Sequence, residues 1–192
     1  MTKSVSAQYE NIDFSPIQAL TDDEVITHSR SRDVRLPSGK TIALVTLDNG
    51  RDHTRPNTLG PATLIELGET LDALAARAAA GEIDAVAITG KQYILAAGAD
   101  LSDISRVGSR DNARLIAQLG HKVLGKLGEL GVPSFAFVNG LALGGGLEIA
   151  LNSTYRTVDA SAAAVALPEV FLGIIPGWGG AYLLPNLIGI EN

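Results

Sequence analysis

"VPSFAFVNGLALGGGLEIAL" (132–151) is the stretch whose reading decides the fold. "SFAFV" is a short apolar run between Pro133 and the pair Asn139-Gly140, the pattern of a buried strand. The cluster Gly144-Gly145-Gly146 follows, and an apolar helical pattern begins near Leu147. A strand, a glycine turn and a helix start set free backbone N–H groups at the mouth of a parallel sheet. Such a place suits an anion, or an oxygen becoming one. Glu148 falls in the first turn of that helix. A second glycine-bearing stretch, "LPEVFLGIIPGWGG" (167–180), carries Glu169 directly after Pro168.

Outward from this centre, strands and helices alternate. "DVRLPSGKTIALVTLDNG" (33–50) reads as a hairpin turning at Pro37-Ser38-Gly39, with a strong strand over 42–47. "RDHTRPNTLG" (51–60) is a loop. Pro61 opens a helix where its missing N–H costs nothing, Leu64, Leu67, Leu71 and Leu74 form its apolar stripe, and Gly81 ends it. "DAVAITG" (84–90) is a strand. "KQYILAAGADLSDI" (91–104) is an apolar run that breaks at Ala97-Gly98-Ala99. Asp111 is expected to cap the next helix, whose stripe is Leu115, Leu119, Val123 and Leu127, and 130–133 to stop it. Short strands are expected near 154–158 and 163–167. The pattern predicts an α/β domain with parallel strands and right-handed crossovers over 33–192, preceded by an N-terminal arm, 1–32.

Composition narrows the function. With 46% apolar and 19% charged residues the 192-residue chain is globular, not disordered, and long enough for one sizeable core. A net charge of −6 without any basic run argues against a nucleic-acid partner. Without cysteine there is no disulfide, thiolate nucleophile or Cys–zinc site. The first residues lack an apolar signal core and no apolar run approaches the ~18 residues of a membrane span, so the expectation is a cytoplasmic protein with no membrane partner. His28, His53 and His121 have no metal-ligand spacing, and no metal site is expected. His121 reads as a structural residue of a helix and His53 as part of a solvated loop. The glycines match neither a dinucleotide fingerprint nor a P-loop, and no serine-hydrolase elbow occurs.

Two carboxylates remain. Glu148 and Glu169 each stand among apolar neighbours, where a carboxylate is normally paired or used. A helix-terminal role for Glu148 and a loop-surface role for Glu169 are the plainer alternatives. "AAGAD" (96–100) adds a second kinked turn after an apolar run. Two such turns can aim one N–H each at a single carbonyl oxygen. Two glutamates with two N–H donors make a set for chemistry beside a thioester, one pair holding an enolate oxygen and the other moving protons.

"ILAAGADLSDI" (94–104), "NGLALGGGLEIAL" (139–151) and "LPEVFLGIIPGWGG" together resemble the enoyl-CoA hydratase/isomerase (crotonase) family in content, order and separation, over about 33–192. Asn57-Thr58-Leu59 occupies the family's Asn-Ala-Leu place behind an enlarged loop. The match is most similar to the hydratase part of multifunctional fatty-acid oxidation proteins, in which a 3-hydroxyacyl-CoA dehydrogenase region would follow. The resemblance implies the crotonase core of repeated ββα units, and hydration of 2-enoyl-CoA thioesters in β-oxidation. No cofactor is implied, since CoA belongs to the substrate. The N–H groups of Ala99 and Gly145, with Gly98 and Gly144 beside them, would form the oxyanion hole. Glu148 and Glu169 would hold the water, and Glu169 would protonate C2. The Ala97 carbonyl would receive the adenine amino group. Asp100 would be structural, and Arg51 and Arg55 would meet CoA phosphates. Alternatives are a double-bond isomerase working with Glu169 alone, and a catalytically silent module that binds acyl-CoA or a partner.

Three departures from the family pattern carry expectations. Glu169 follows Glu148 by 21 positions, one more than usual, and the extra residue falls in "DASAAAVA" (159–166), where an enlarged turn would absorb it. The N-terminal arm is longer than usual. Family members continue past the equivalent of Asn192 through helices that close the acyl pocket and build a trimer. The chain is therefore expected to lack the C-terminal helical region, and to self-associate or leave its tail mobile through exposed Leu183, Leu184, Leu187, Ile188 and Ile190.

Overall fold

The computed structural model describes residues 5–18, 20, 24–100 and 107–191. Of the stretches read above, 101–104 and Asn192 lie outside them. Two sheets organise the chain. The larger has the order β1 (His28–Arg35), β2 (Thr41–Asp48), β3 (Ala85–Gly90), β5 (Ser134–Val138), β7 (Tyr155–Val158). Only the β1–β2 hairpin is antiparallel; the other neighbours run parallel. The smaller sheet is β4 (Tyr93–Ala96), β6 (Gly140–Leu143), β8 (Val165–Ala166), all parallel. Each strand of the large sheet from β3 onward is followed by one of the small sheet, and a helix follows each of the first two such pairs. This is the repeated ββα arrangement implied by the resemblance.

The helices form for the reasons their sequences suggest. α2 (Pro61–Ala79) starts on proline at a position where no N–H is needed and buries Leu64, Leu67, Leu71 and Leu74. Each such leucine contributes about 1.5–3 kcal/mol of apolar burial. Its N-terminus is capped from a distance: the Glu24 carboxylate accepts from the N–H groups of Ala62 (2.7 Å) and Thr63 (2.9 Å). The N-terminal residues thus reach the core, and Ile17 of the short α1 (Ser15–Gln18) is fully buried there. α3 (Arg110–Gly125) buries Leu119 and Val123, and α4 (Gly145–Asn152) is almost entirely buried.

Several boundaries differ from the sequence reading. The cap of α3 is Ser109, whose side chain accepts from the Asn112 N–H, while Asp111 sits two residues further on, in the first turn, where its charge favours the helix N-terminus. α3 ends at Gly125 and passes into a 3-10 turn (Lys126–Gly128), earlier than the 130–133 stop. The hairpin begins at His28 rather than near Asp33. Its inward position there is the polar Ser29, held by Glu66 and Thr70 of α2, so no apolar alternation announces it. "SFAFV" is buried on one face only: Phe137 is exposed and, with Tyr155, stacks beside Phe135 on the outer face. Finally, 140–143 is strand β6 and not part of a turn. Asn139-Gly140 is a corner between the two sheets, where the Asn139 side chain bonds Gly90 N and O and Lys91 O.

The small sheet positions everything that follows. β4, β6 and β8 are parallel neighbours, so all three end on the same side. Their C-terminal continuations are Ala97–Ala99, Gly144–Glu148 and Leu167–Glu169. Ligands of parallel sheets bind beyond the carboxyl ends of the strands.

Candidate active site

A cavity of about 350 Å³ opens at that edge. Ala97, Gly98, Ala99, Gly144, Gly145, Glu148 and Glu169 all line it. The structure therefore brings together the seven residues of the three motif stretches that sequence reasoning assigned to the two turns and the carboxylate pair. The remaining wall is apolar: Ala113, Ile116 and Ala117 of α3 on one side, and Leu172, Ile174, Ile175 and Trp178 on the other.

The two turns touch. At Gly98, with φ of +90°, a Cβ would stand 2.8 Å from the Leu143 carbonyl oxygen and 3.1 Å from the Gly145 nitrogen, so only glycine lets the turns approach. Gly144, with φ of +51°, turns the chain from β6 into α4. The Gly145 N–H then falls in the first turn of α4, where the helix itself supplies no acceptor. Ala99 is exposed to the cavity, and its segment is pinned from behind by Leu59 N–H to Gly98 O (2.9 Å) and Ala97 N–H to Asn57 O (2.8 Å).

Glu148 is 1% exposed. Its Oε1 accepts the backbone N–H groups of Trp178 (2.7 Å) and Gly180 (2.8 Å), which ties α4 to the segment before α5 (Gly180–Ile188). Burial raises its pKa above the ordinary 4.5. The N–H groups of Gly180 and Trp178 oppose that rise, and the nearby Glu169 adds to it. Glu169 lies in a 3-10 turn (Pro168–Leu172) against Gly144. Its Oε2 is buried and has no hydrogen-bond partner among the described residues. A buried carboxylate oxygen without a protein partner is rare and calls for an explanation. In the stretch before β8 where the extra residue is expected, Asp159 accepts from the N–H and hydroxyl of Ser161 in an exposed turn.

Other assigned residues lie elsewhere. Asp100 does not line the cavity and accepts from the Thr58 hydroxyl at 3.3 Å. Arg51 and Arg55 are exposed on the loop after β2, outside the cavity wall. His121 is half-buried in α3 and stacks on Tyr9, while His53 is exposed beside Tyr93. Among the described residues no cluster of His, Cys, Asp and Glu suits a metal, and no helix is long and apolar enough to cross a membrane.

Trp178 is the residue the sequence reading passed over. It is 5% exposed, lines the cavity, donates its backbone N–H to Glu148, and lays its ring where a Cβ on Gly145 or Gly120 would otherwise stand. A lone tryptophan flanked by glycines was the available signal.

Comparisons with known proteins bear on the family and the fold. The family model described as "Enoyl-CoA hydratase/isomerase" matches residues 38–192. The chain is 36% identical over 167 residues to the fatty acid oxidation complex subunit alpha of Shewanella loihica, covering 80% of this chain and 22% of that protein. The solved structure of Pseudomonas aeruginosa DspI superposes with a TM-score of 0.71 at 29% identity, covering 88% of this chain and 65% of that one. The enoyl-CoA hydratase of Bacillus anthracis superposes with a TM-score of 0.68 at 32% identity, covering 78% and 55% respectively. The chain thus spans about a fifth of the length of that Shewanella relative. With matching motifs, fold and family model, the chain belongs to the enoyl-CoA hydratase/isomerase (crotonase) family.

Proposed function

We propose that the chain carries the site of an enoyl-CoA hydratase, which adds water reversibly across the double bond of a 2-enoyl-CoA thioester. The observation that supports it most is the meeting of two carboxylates and two turn N–H groups in one apolar-walled cavity. The thioester oxygen sits between the N–H groups of Ala99 and Gly145, and the start of α4 adds its dipole. Glu148 and Glu169 hold the water. As its oxygen bonds to C3, one carboxylate accepts the proton. The π electrons move through C2 toward the thioester oxygen, which becomes an enolate. Glu169 then delivers a proton to C2. Where Glu148 took the water's proton, Glu169 enters the cycle protonated, and the proton left on Glu148 passes back to Glu169 through solvent before the next turnover, so that H and OH have been added and neither side chain is consumed. The retention of Glu148 favours hydration over an isomerase that needs Glu169 alone.

The test is hydration of crotonyl-CoA by the purified chain and by Glu169→Gln, with binding of crotonyl-CoA measured on both. Turnover by the parent and a loss of about 10²–10⁴ in the variant, with binding retained, is the expected result. Binding without turnover by the parent would instead identify a silent acyl-CoA module.

A further inference from the structure

The loop between β2 and α2 is exposed from Arg51 to Arg55, so no apolar burial orders it there. Side chains hold it instead: Asn49 Nδ2 donates to Arg55 O (3.3 Å) and Pro56 O (2.9 Å), Asp52 Oδ1 accepts from the Thr54 N–H (2.7 Å), and one ammonium reaches several of the loop's oxygens at once. Lys91, at the corner between β3 and β4, sends its ammonium into the loop. Nζ lies 2.5 Å from Asn49 Oδ1, 2.6 Å from Arg55 O, 2.9 Å from Arg51 O and 3.0 Å from Asp52 O, four acceptors that share its three N–H bonds. A cage of four oxygens around one positive charge is how a small cation is bound; here a tethered ammonium fills it. Within the loop the Arg51 N–H donates to Asn49 Oδ1, and the Arg55 N–H to Asp52 O, so the caged oxygens and the loop's own bonds share residues.

The inner end of the loop has a separate anchor. The Asn57 side chain, fully buried, donates to Leu47 O (2.9 Å) and Leu95 O (3.0 Å) and accepts from the Asn49 N–H (3.1 Å). The Asn57 backbone carbonyl receives the Ala97 N–H. The 97–99 turn is therefore held without Lys91, and Lys91 governs only the outer loop that carries Arg51 and Arg55.

We propose that Lys91 is a positioning residue. Its ammonium is the organising centre of the 49–55 loop and fixes Arg51 and Arg55 where the phosphates of a CoA thioester meet them. The second half of that statement rests on the hydratase reading; the first does not.

Two measurements test them apart. In Lys91→Met, hydrogen exchange at the amides of Arg51, Thr54 and Arg55 should accelerate at least about tenfold, the scale of a lost charge-assisted hydrogen bond, with α2 and β5 unchanged. In Lys91→Ala, propylammonium, the fragment the truncation removes, should restore protection. Tetramethylammonium, a cation without N–H donors, should not. Unchanged exchange, general unfolding of Lys91→Met, or equal rescue by both cations would overturn the anchoring role. For the substrate half, Lys91→Met should raise KM for crotonyl-CoA about tenfold and leave kcat within about twofold, with KM for crotonyl-pantetheine unmoved. A loosened loop with an unchanged KM for crotonyl-CoA would overturn that half and leave the anchor standing.

Discussion

Replacing Glu148 by alanine and by glutamine should give two different proteins, because this carboxylate has a structural partner set and a chemical one. Its Oε1 is the acceptor for the Trp178 and Gly180 N–H groups, both buried. Alanine leaves both donors facing an apolar void. An orphaned buried donor costs about 1–3 kcal/mol, so two cost about 2–6 kcal/mol. That is a large share of the ~5–15 kcal/mol that holds a domain folded. At roughly 2–4 °C per kcal/mol for a chain of this size, Tm should fall by about 5–20 °C. Glutamine keeps a carbonyl oxygen able to accept both N–H groups and removes a charge that burial disfavours. Its Tm at pH 7 should stay within about 2 °C of the parent or rise, since neither donor is orphaned. Both variants lose the carboxylate proposed to hold the water, and on that reading hydration of crotonyl-CoA should fall by about 10²–10⁴ in each. Thermal unfolding followed by circular dichroism, beside the hydration assay, gives the four numbers needed. A Glu148→Ala protein as stable as the parent would refute the structural half of this reasoning, and wild-type turnover by Glu148→Gln would refute the chemical half.

Gly145→Ala should displace Trp178, since the new Cβ would lie 2.2 Å from the indole Cζ3; the indole fluorescence should shift and turnover should fall, and an unchanged spectrum would count against the packing described. Gly145→Pro removes the N–H itself, and loss of one oxyanion donor costs about 10²–10³ in rate; undiminished turnover would remove Gly145 from the site. The raised pKa of Glu148 sets a sign for stability against pH: the folded protein holds a proton that the unfolded chain releases near 4.5, so this group's contribution is fully present below 4.5 and is lost as pH rises through the folded value. Glu148→Gln should flatten that slope, which denaturant melts across the pH range would detect. Val170, Phe171, Ile175, Tyr182, Leu187 and Ile190 are exposed, and Phe171 and Ile190 reach 88% and 90%. A patch of this kind should drive concentration-dependent self-association, visible by light scattering and weakened by Phe171→Ser with Ile175→Ser; a persistent monomer would contradict it.

That surface also corrects an expectation. Of the five tail residues named from sequence, Leu183 and Leu184 pack against the core, and the exposed apolar area extends instead through 170–175. The helical spacing of 183–190 could say that one face is buried; it could not say which core the face meets. The same limit explains the strand readings. The inner positions of β2 and the stripe of α2 are apolar at the right period, and both were legible. The first residues of β1 were not, because Ser29 is buried through hydrogen bonds to α2, a tertiary fact without a local signature.

The residues that meet at the cavity were more legible than the strands that bring them there, and the small sheet explains why. Its strands are two to four residues long, too short for periodicity to reveal. Yet the requirements at their ends are severe. Gly98 must admit the Leu143 carbonyl, Gly145 must admit an indole, and Glu148 must be buried with two N–H partners. Constraints that narrow leave a mark in sequence wherever they fall, as glycine clusters beside a lone carboxylate. The strands only have to bring those marks to one edge, which many apolar tetrapeptides can do. Trp178 shows what such a reading omits. Its ring and its N–H meet α4 from 30 positions away, and only the assembled parallel edge reveals that the tryptophan and the carboxylate form one wall.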